Sequence, residues 1–153
     1  MARRGPSAPL RWLQENELLI SPILDFGCGR GADVAHLQSL GFKCWGTDKF
    51  HKGHLGFQNA APWDKPLTIC CTYVLNVILC DEERADVLKE VATLLNPEGV
   101  AYFTVRRDIP EEGTPTQCWV ELSMPSIHRT RSFEIYEFNP SKLCRSPSSS
   151  SPE

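Results

Sequence analysis

Four short clusters in this chain hold residue types that can do chemistry. In ILDFGCGRGAD, residues 23–33, Asp25 is followed by Gly27, Gly29 and Gly31 at alternate positions. Glycines so spaced let the backbone turn sharply and let a ligand approach main-chain atoms that a side chain would shield, so this turn can hold a nucleotide-like ligand. Asp48 places a carboxylate just beyond a second apolar segment. Tyr73 and Asn76 follow a third, and either can orient a reacting partner; equally, Tyr73 can wall a pocket and Asn76 can cap a turn. Arg106 and Arg107, followed by Asp108, can receive a phosphate or carboxylate, or be bridged by acids and solvent.

The elements that must position these groups follow from periodicity. Leu10, Leu13 and Leu18 with Trp12 have helical spacing, giving a short amphipathic helix from Pro9 into a first strand at residues 22–25. Residues 33–40 read as a helix with Ala35, Leu37 and Leu40 toward the core and Gly41 as its C-terminal cap. Residues 43–47 form a second strand. The next strand-like run, LTICCT at residues 67–72, has no alternation, the pattern of a strand buried on both faces. Residues 49–66 between them are too few for a helix, a strand and a second helix, so the sheet is expected to be trimmed, with its second strand at an edge.

Asp81 is placed as an N-cap, with Glu82 and Glu83 near the positive end of the following helix dipole. Ala85, Leu88, Ala92 and Leu95 give that helix, residues 84–95, its apolar face. Asn96, Pro97, Glu98 and Gly99 turn the chain into the strand at residues 100–105. Residues 107–116 are too few for a crossover helix, so the chain returns antiparallel, with strands expected at residues 117–123 and 131–138. The result is a mostly parallel α/β sheet with an antiparallel C-terminal strand pair. The glycine turn, Asp48, Tyr73 and Arg106 all fall at carboxyl ends of strands, where such sheets bind ligands.

Length and composition set bounds. The 153 residues suffice for one domain with a proper core. Residues 1–8 are expected as a flexible arm, residues 9–140 as the domain, and residues 141–153, which include SPSSSSPE, as a disordered tail. A net charge of −3 argues against a broad nucleic-acid surface. The seven cysteines are odd in number and several lie in apolar runs, as suits packed thiols in a cytoplasmic protein. No Cys or His cluster has zinc spacing, so no metal is expected. No apolar run reaches membrane-spanning length, and no signal peptide is evident. His51, His54 and His128 read as ordinary loop or surface histidines.

Two ligand classes compete for the turn. Gly27, Gly29 and Ala32 satisfy the dinucleotide pattern G-x-G-x-x-G/A, with Asp48 at the spacing of a ribose-binding acid. The fuller pattern Asp-x-Gly-x-Gly-x-Gly resembles the first motif of class I S-adenosylmethionine-dependent methyltransferases. The resemblance extends over residues 9–106: Asp48 ends strand two, CTYVLNVI follows a buried strand, and LLNPEGVAYFTV is similar to the helix, turn and strand that follow. TYVLNV with VRRD also resembles small bacterial methyltransferase-like proteins, some associated with DNA phosphorothioation, which identifies no substrate.

The resemblance implies a trimmed Rossmann-like doubly wound sheet carrying a single methyltransferase-like domain. It implies that Gly27 and Gly29 lie under the methionine and ribose of S-adenosylmethionine, with Cys28 in the same turn chosen for size. Asp25 helps hold the amino group, Asp48 accepts from the ribose hydroxyls, Phe50 stacks on adenine or covers the sheet edge, and Thr72 and Tyr73 approach the methionine end. Tyr73 and Asn76 are the catalytic candidates, and Arg106 and Arg107 the substrate-binding ones. The chain departs from the pattern in lacking a counterpart to the third strand and the helix before the last strands. A protein partner that completes the substrate wall fits that departure. The implied activity is methyl transfer to an unidentified acceptor, whether small molecule, protein or nucleic acid; the alternative is a module that binds S-adenosylmethionine or S-adenosylhomocysteine without catalysis.

Overall fold

Strand residues whose side chains alternate between two apolar layers build the centre of the computed structural model, which describes residues 5–48 and 65–144. In order, the elements are α1 (Ala8–Glu15), β1 (Ile23–Phe26), α2 (Ala32–Ser39), β2 (Cys44–Thr47) and β3 (Thr68–Thr72). A single 3-10 turn (Leu75–Val77), α3 (Asp81–Leu94), β4 (Val100–Arg106), β5 (Ser126–Arg129), β6 (Phe133–Phe138) and α4 (Pro140–Cys144) follow. The strands form one sheet in the order β2-β1-β3-β4-β6-β5. β2, β1, β3 and β4 run parallel, and β6 lies antiparallel between β4 and β5. The doubly wound α/β sheet is therefore as expected, and among the described residues β2 is an edge.

The period of two divides the core. Ile23, Cys70, Tyr102 and Ile135 point to one face, under Leu10 and Leu13 of α1 and Val34 and Leu37 of α2. Leu24, Ile69, Cys71, Phe103 and Val105 point to the other, under Val91 of α3 and the adjoining Leu95. Phe103, Ile69 and Ile135 are fully buried, and each such side chain contributes about 1.5–3 kcal/mol relative to exposure. Burial on both faces explains why β3 reads as an unbroken apolar run.

Ser7 caps α1 by accepting from the Leu10 N–H, and its own N–H and hydroxyl both donate to Asp33, at 2.7 Å each. Asn139 accepts from the Lys142 N–H at the start of α4. Several expectations about the elements are corrected. In α2 the buried apolar residues are Val34 and Leu37, while Ala35 and Leu40 are exposed. In α3 the inward face is Val87, Leu88, Val91 and Leu95, rotated from the expected one, so Ala85 and Ala92 face solvent. Cys80, not Asp81, occupies the N-cap position of α3, and Asp81 pairs instead with Arg84 one turn on.

The largest correction concerns residues 117–123, expected as a strand. The Cys118 N–H donates to the Asn76 carbonyl at 2.8 Å, and the Val120 carbonyl accepts from Arg107. The segment is thus a strap across the α3 side of the sheet. Its alternating apolar residues, Cys118, Val120 and Leu122, pack there with no partner strand. The strand that pairs with β6 is β5, later in the chain, and it carries a bulge between Ser126 and His128.

Candidate functional site

The turn after β1 is held by backbone groups. The Gly27 and Cys28 N–H groups donate to the Thr47 carbonyl at 2.7 and 3.0 Å, and the Gly31 N–H donates to the Cys28 carbonyl at 3.0 Å. Gly27, Gly29 and Gly31 all have left-handed backbone, with φ of 78°, 57° and 83°, a region that costs other residues about 1–2 kcal/mol. Gly27 and Gly29 differ in what surrounds them. A Cβ on Gly27 would sit 2.5 Å from Val74 Cγ2, so that glycine is demanded by packing, whereas a Cβ on Gly29 would meet nothing within 4 Å among the described residues. Gly29 therefore marks the accessible side of the cradle. Its N–H donates to Asp48 Oδ2 at 2.8 Å, which joins the end of β2 to the turn.

Asp25 lies beneath the turn at 5% exposure. Cys28 is buried next to it, and a Cβ on the neighbouring Gly46 would come 2.6 Å from its sulfur. The thiol therefore fills a gap in the strand packing and leaves only its backbone to the turn. Burial, with the charges of Asp25 and Asp48, pushes the Cys28 pKa up to about 12, which removes thiolate chemistry at neutral pH. Burial and Asp25 also push Cys44, Cys70 and Cys71 upward. Phe50, His51 and His54 lie outside the described residues.

Thr72 ends β3 beside Thr104 of β4. Tyr73 follows with φ of 61°, rare for an aromatic residue. Its N–H donates to the Thr104 carbonyl at 2.9 Å, and its ring lies 5.0 Å from the Arg106 guanidinium carbon. Arg106 Nε and Nη2 donate to the two Asp108 oxygens at 2.9 and 2.8 Å. That hydrogen bonding holds the Asp108 carboxyl below, and the Arg106 guanidinium above, their ordinary pKa values. Strand order runs from the glycine turn to Tyr73 to Arg106, so these groups line one edge.

Two sequence candidates do not join them. Asn76 is 1% exposed, and its amide donates to Gln117 at 3.0 Å. It pins the strap to the 3-10 turn and cannot touch an acceptor. Arg107 is equally withdrawn: it pairs with Glu134 at 2.8 Å, donates to the Val120 carbonyl and the Tyr136 hydroxyl, and stacks 4.4 Å from the Trp119 ring. Burial would raise the Glu134 pKa, but hydrogen bonds from Ser126 and Arg107 and the Arg107 charge outweigh it, so the carboxyl sits below its ordinary value. The alternation of side chains explains the division: Arg106 and Arg107 are consecutive and leave opposite faces of the sheet. Val74 was missed from sequence as the residue that enforces Gly27, whereas bridging of Arg106 by an acid was one of the readings the sequence offered, and Asp108 is that acid.

The fold is shared with solved structures. The structure described for conversion of a disulfide bond into a thioacetal group during echinomycin biosynthesis is 18% identical, with a TM-score of 0.54 over 68% of this chain and 51% of that one. The CcbJ methyltransferase from Streptomyces caelestis is 16% identical, with a TM-score of 0.51 over 80% and 55%. The glycopeptide N-methyltransferase MtfA, solved with S-adenosyl-L-homocysteine, is 14% identical, with a TM-score of 0.51 over 95% and 80%. The chain thus spans about half the length of the first two. No curated protein matches it. Among the described residues no helix is long and apolar enough to cross a membrane, and no group of His, Cys, Asp and Glu could hold a metal ion. The model of a family described as a methyltransferase domain matches residues 3–149, and this chain belongs to that family.

Proposed function

We propose that this protein binds S-adenosylmethionine at the glycine turn and transfers its methyl group to an acceptor held beyond the ends of β3 and β4. The observation that carries the reading is the Gly29 cradle: a left-handed glycine with nothing against it among the described residues, and its N–H on the Asp48 carboxylate. The residues fit the cofactor. Gly27, Gly29 and the Cys28 backbone would lie under its methionine and ribose, Asp48 would take the ribose hydroxyls, and Asp25 would act from beneath. Thr72 and Tyr73 would border the methionine end. Bound there, the sulfonium supplies an electrophilic methyl group. The chain's own part is to hold the acceptor in line and limit water, from which much of the acceleration of such a displacement can come. Tyr73, with its left-handed backbone and Arg106 over its ring, would orient the acceptor.

Calorimetry with S-adenosylmethionine, S-adenosylhomocysteine and NAD tests the donor. The sulfonium and its product are expected to bind, and Asp48→Ala to weaken both about tenfold or more through loss of a charged hydrogen-bond acceptor. Binding of NAD alone, or unchanged affinity in the variant, refutes the assignment. A binding-only module is the second reading, favoured by the burial of Asn76, which leaves Tyr73 as the single catalytic candidate. Radiolabelled methyl transfer to cell extract separates the two, since tight cofactor binding with no labelled product identifies the module. Cytoplasmic placement, suggested by cysteine usage, and a partner completing the acceptor wall belong to the same reading.

A further inference from the structure

Among the described residues Arg106 is a cationic side chain at the acceptor end of this site, and its surroundings decide what it recognises. Its Nε and Nη2 edge is taken up by both Asp108 oxygens, so the charge is compensated and one of the two edges that could grip a carboxylate or phosphate is occupied. The guanidinium carbon lies over the Tyr73 ring, 5.0 Å from its centroid. The side chain is nevertheless 37% exposed. Tyr73 is held in left-handed backbone, which costs about 1–3 kcal/mol and persists only where the surroundings fix it. Across the sheet Arg106 is in register with Phe133, against which His128 lies tilted, and His128 stacks on Trp12 at 4.3 Å and 10°. The surroundings on that side are aromatic.

We propose that Arg106, pinned by Asp108 and backed by Tyr73, is a planar platform on which a flat, uncharged aromatic or heteroaromatic ring of the methyl acceptor stacks. This rests on the donor reading above, because only that reading makes the edge beyond Tyr73 an acceptor site. An anionic acceptor is disfavoured because it would share a guanidinium whose charge Asp108 already compensates. Guanidinium planes stack on rings through the same attraction that holds Arg106 to Tyr73. A guanidinium has two faces, so one set over Tyr73 leaves the other for an acceptor ring.

The test uses the full chain saturated with S-adenosylhomocysteine, with affinities measured by ligand-observed NMR for indole and p-cresol, and for acetate and inorganic phosphate. The wild type is expected to bind the two rings and not the two anions. Arg106→Lys keeps the charge but removes the plane, and is expected to weaken ring binding about fivefold. Asp108→Asn releases the guanidinium and is expected to gain phosphate or acetate binding. Anion binding by the wild type, or ring binding unchanged in Arg106→Lys, overturns the proposal. S-adenosylhomocysteine affinity, measured by calorimetry on the same samples, separates the two levels. If it binds and the rings do not, only the acceptor class fails; if it does not bind, the donor reading fails and this proposal with it.

Discussion

Replacing Arg107 by methionine is expected to destabilise the protein strongly at neutral pH and less in acid. The guanidinium is 2% exposed and its partner Glu134 is 8% exposed, 2.8 Å away. Arg107→Met keeps much of the stem volume but leaves a buried carboxylate without its main counter-charge, a change that costs about 3–5 kcal/mol. Arg129, 3.8 Å from Glu134 but 59% exposed, and the Ser126 hydrogen bond remain, so the lower end, about 3 kcal/mol, is expected. That is a large part of the about 5–15 kcal/mol by which domains are stable.

The sign of the pH dependence distinguishes this account from simple loss of packing. In the wild type the Glu134 pKa lies below its ordinary value of 4.5. Its contribution is therefore complete above that value and lost as pH falls through the folded pKa. In Arg107→Met burial wins and raises the folded pKa, so the variant loses stability as pH rises from about 5 toward 7. Urea unfolding followed by tryptophan fluorescence, with Trp119 against the substituted side chain, reads both effects. Adding Glu134→Gln is expected to recover about 2 kcal/mol at pH 7 and to flatten the pH dependence, because the stranded charge is gone. A loss in Arg107→Met below about 1 kcal/mol, or one equal at pH 5 and pH 7, would refute a buried, charge-coupled pair.

The glycine turn separates folding from binding. Gly27→Ala places a Cβ 2.5 Å from Val74 and is expected to lower the melting temperature markedly, whereas Gly29→Ala meets nothing within 4 Å among the described residues and should cost only about 1–2 kcal/mol for its left-handed backbone while abolishing cofactor binding, as melting curves and calorimetry will show. Cys28, with its pKa near 12, is expected to stay unalkylated by iodoacetamide at pH 8 in the folded protein while the half-exposed Cys80 reacts, as peptide mass spectrometry after quenching will show. Ser7→Ala removes the α1 cap and the hydroxyl bond to Asp33, and is expected to cost about 1–2 kcal/mol in urea unfolding with no change in m.

What could be read from the chain alone was whatever local spacing determines. The alternate glycines, the acids at the carboxyl ends of β1 and β2, and the unbroken apolar run of β3 report backbone conformation and burial directly, so they marked the parallel sheet and the carboxyl end of its strands. Periodicity could not say which neighbour a polar side chain would meet. Arg106 and Arg107 are adjacent and chemically equal, yet the pleat sends one to the open edge and the other under the strap, against Glu134 and Trp119. Asn76 looked available until the strap crossed it. Residues 117–123 alternate like a strand, but β6 pairs on one side with β4 and on the other with β5, which leaves them no backbone partner. Local sequence thus determined the elements and the cofactor turn, while pairing and burial between distant segments decided which of the charged and polar candidates could reach a ligand.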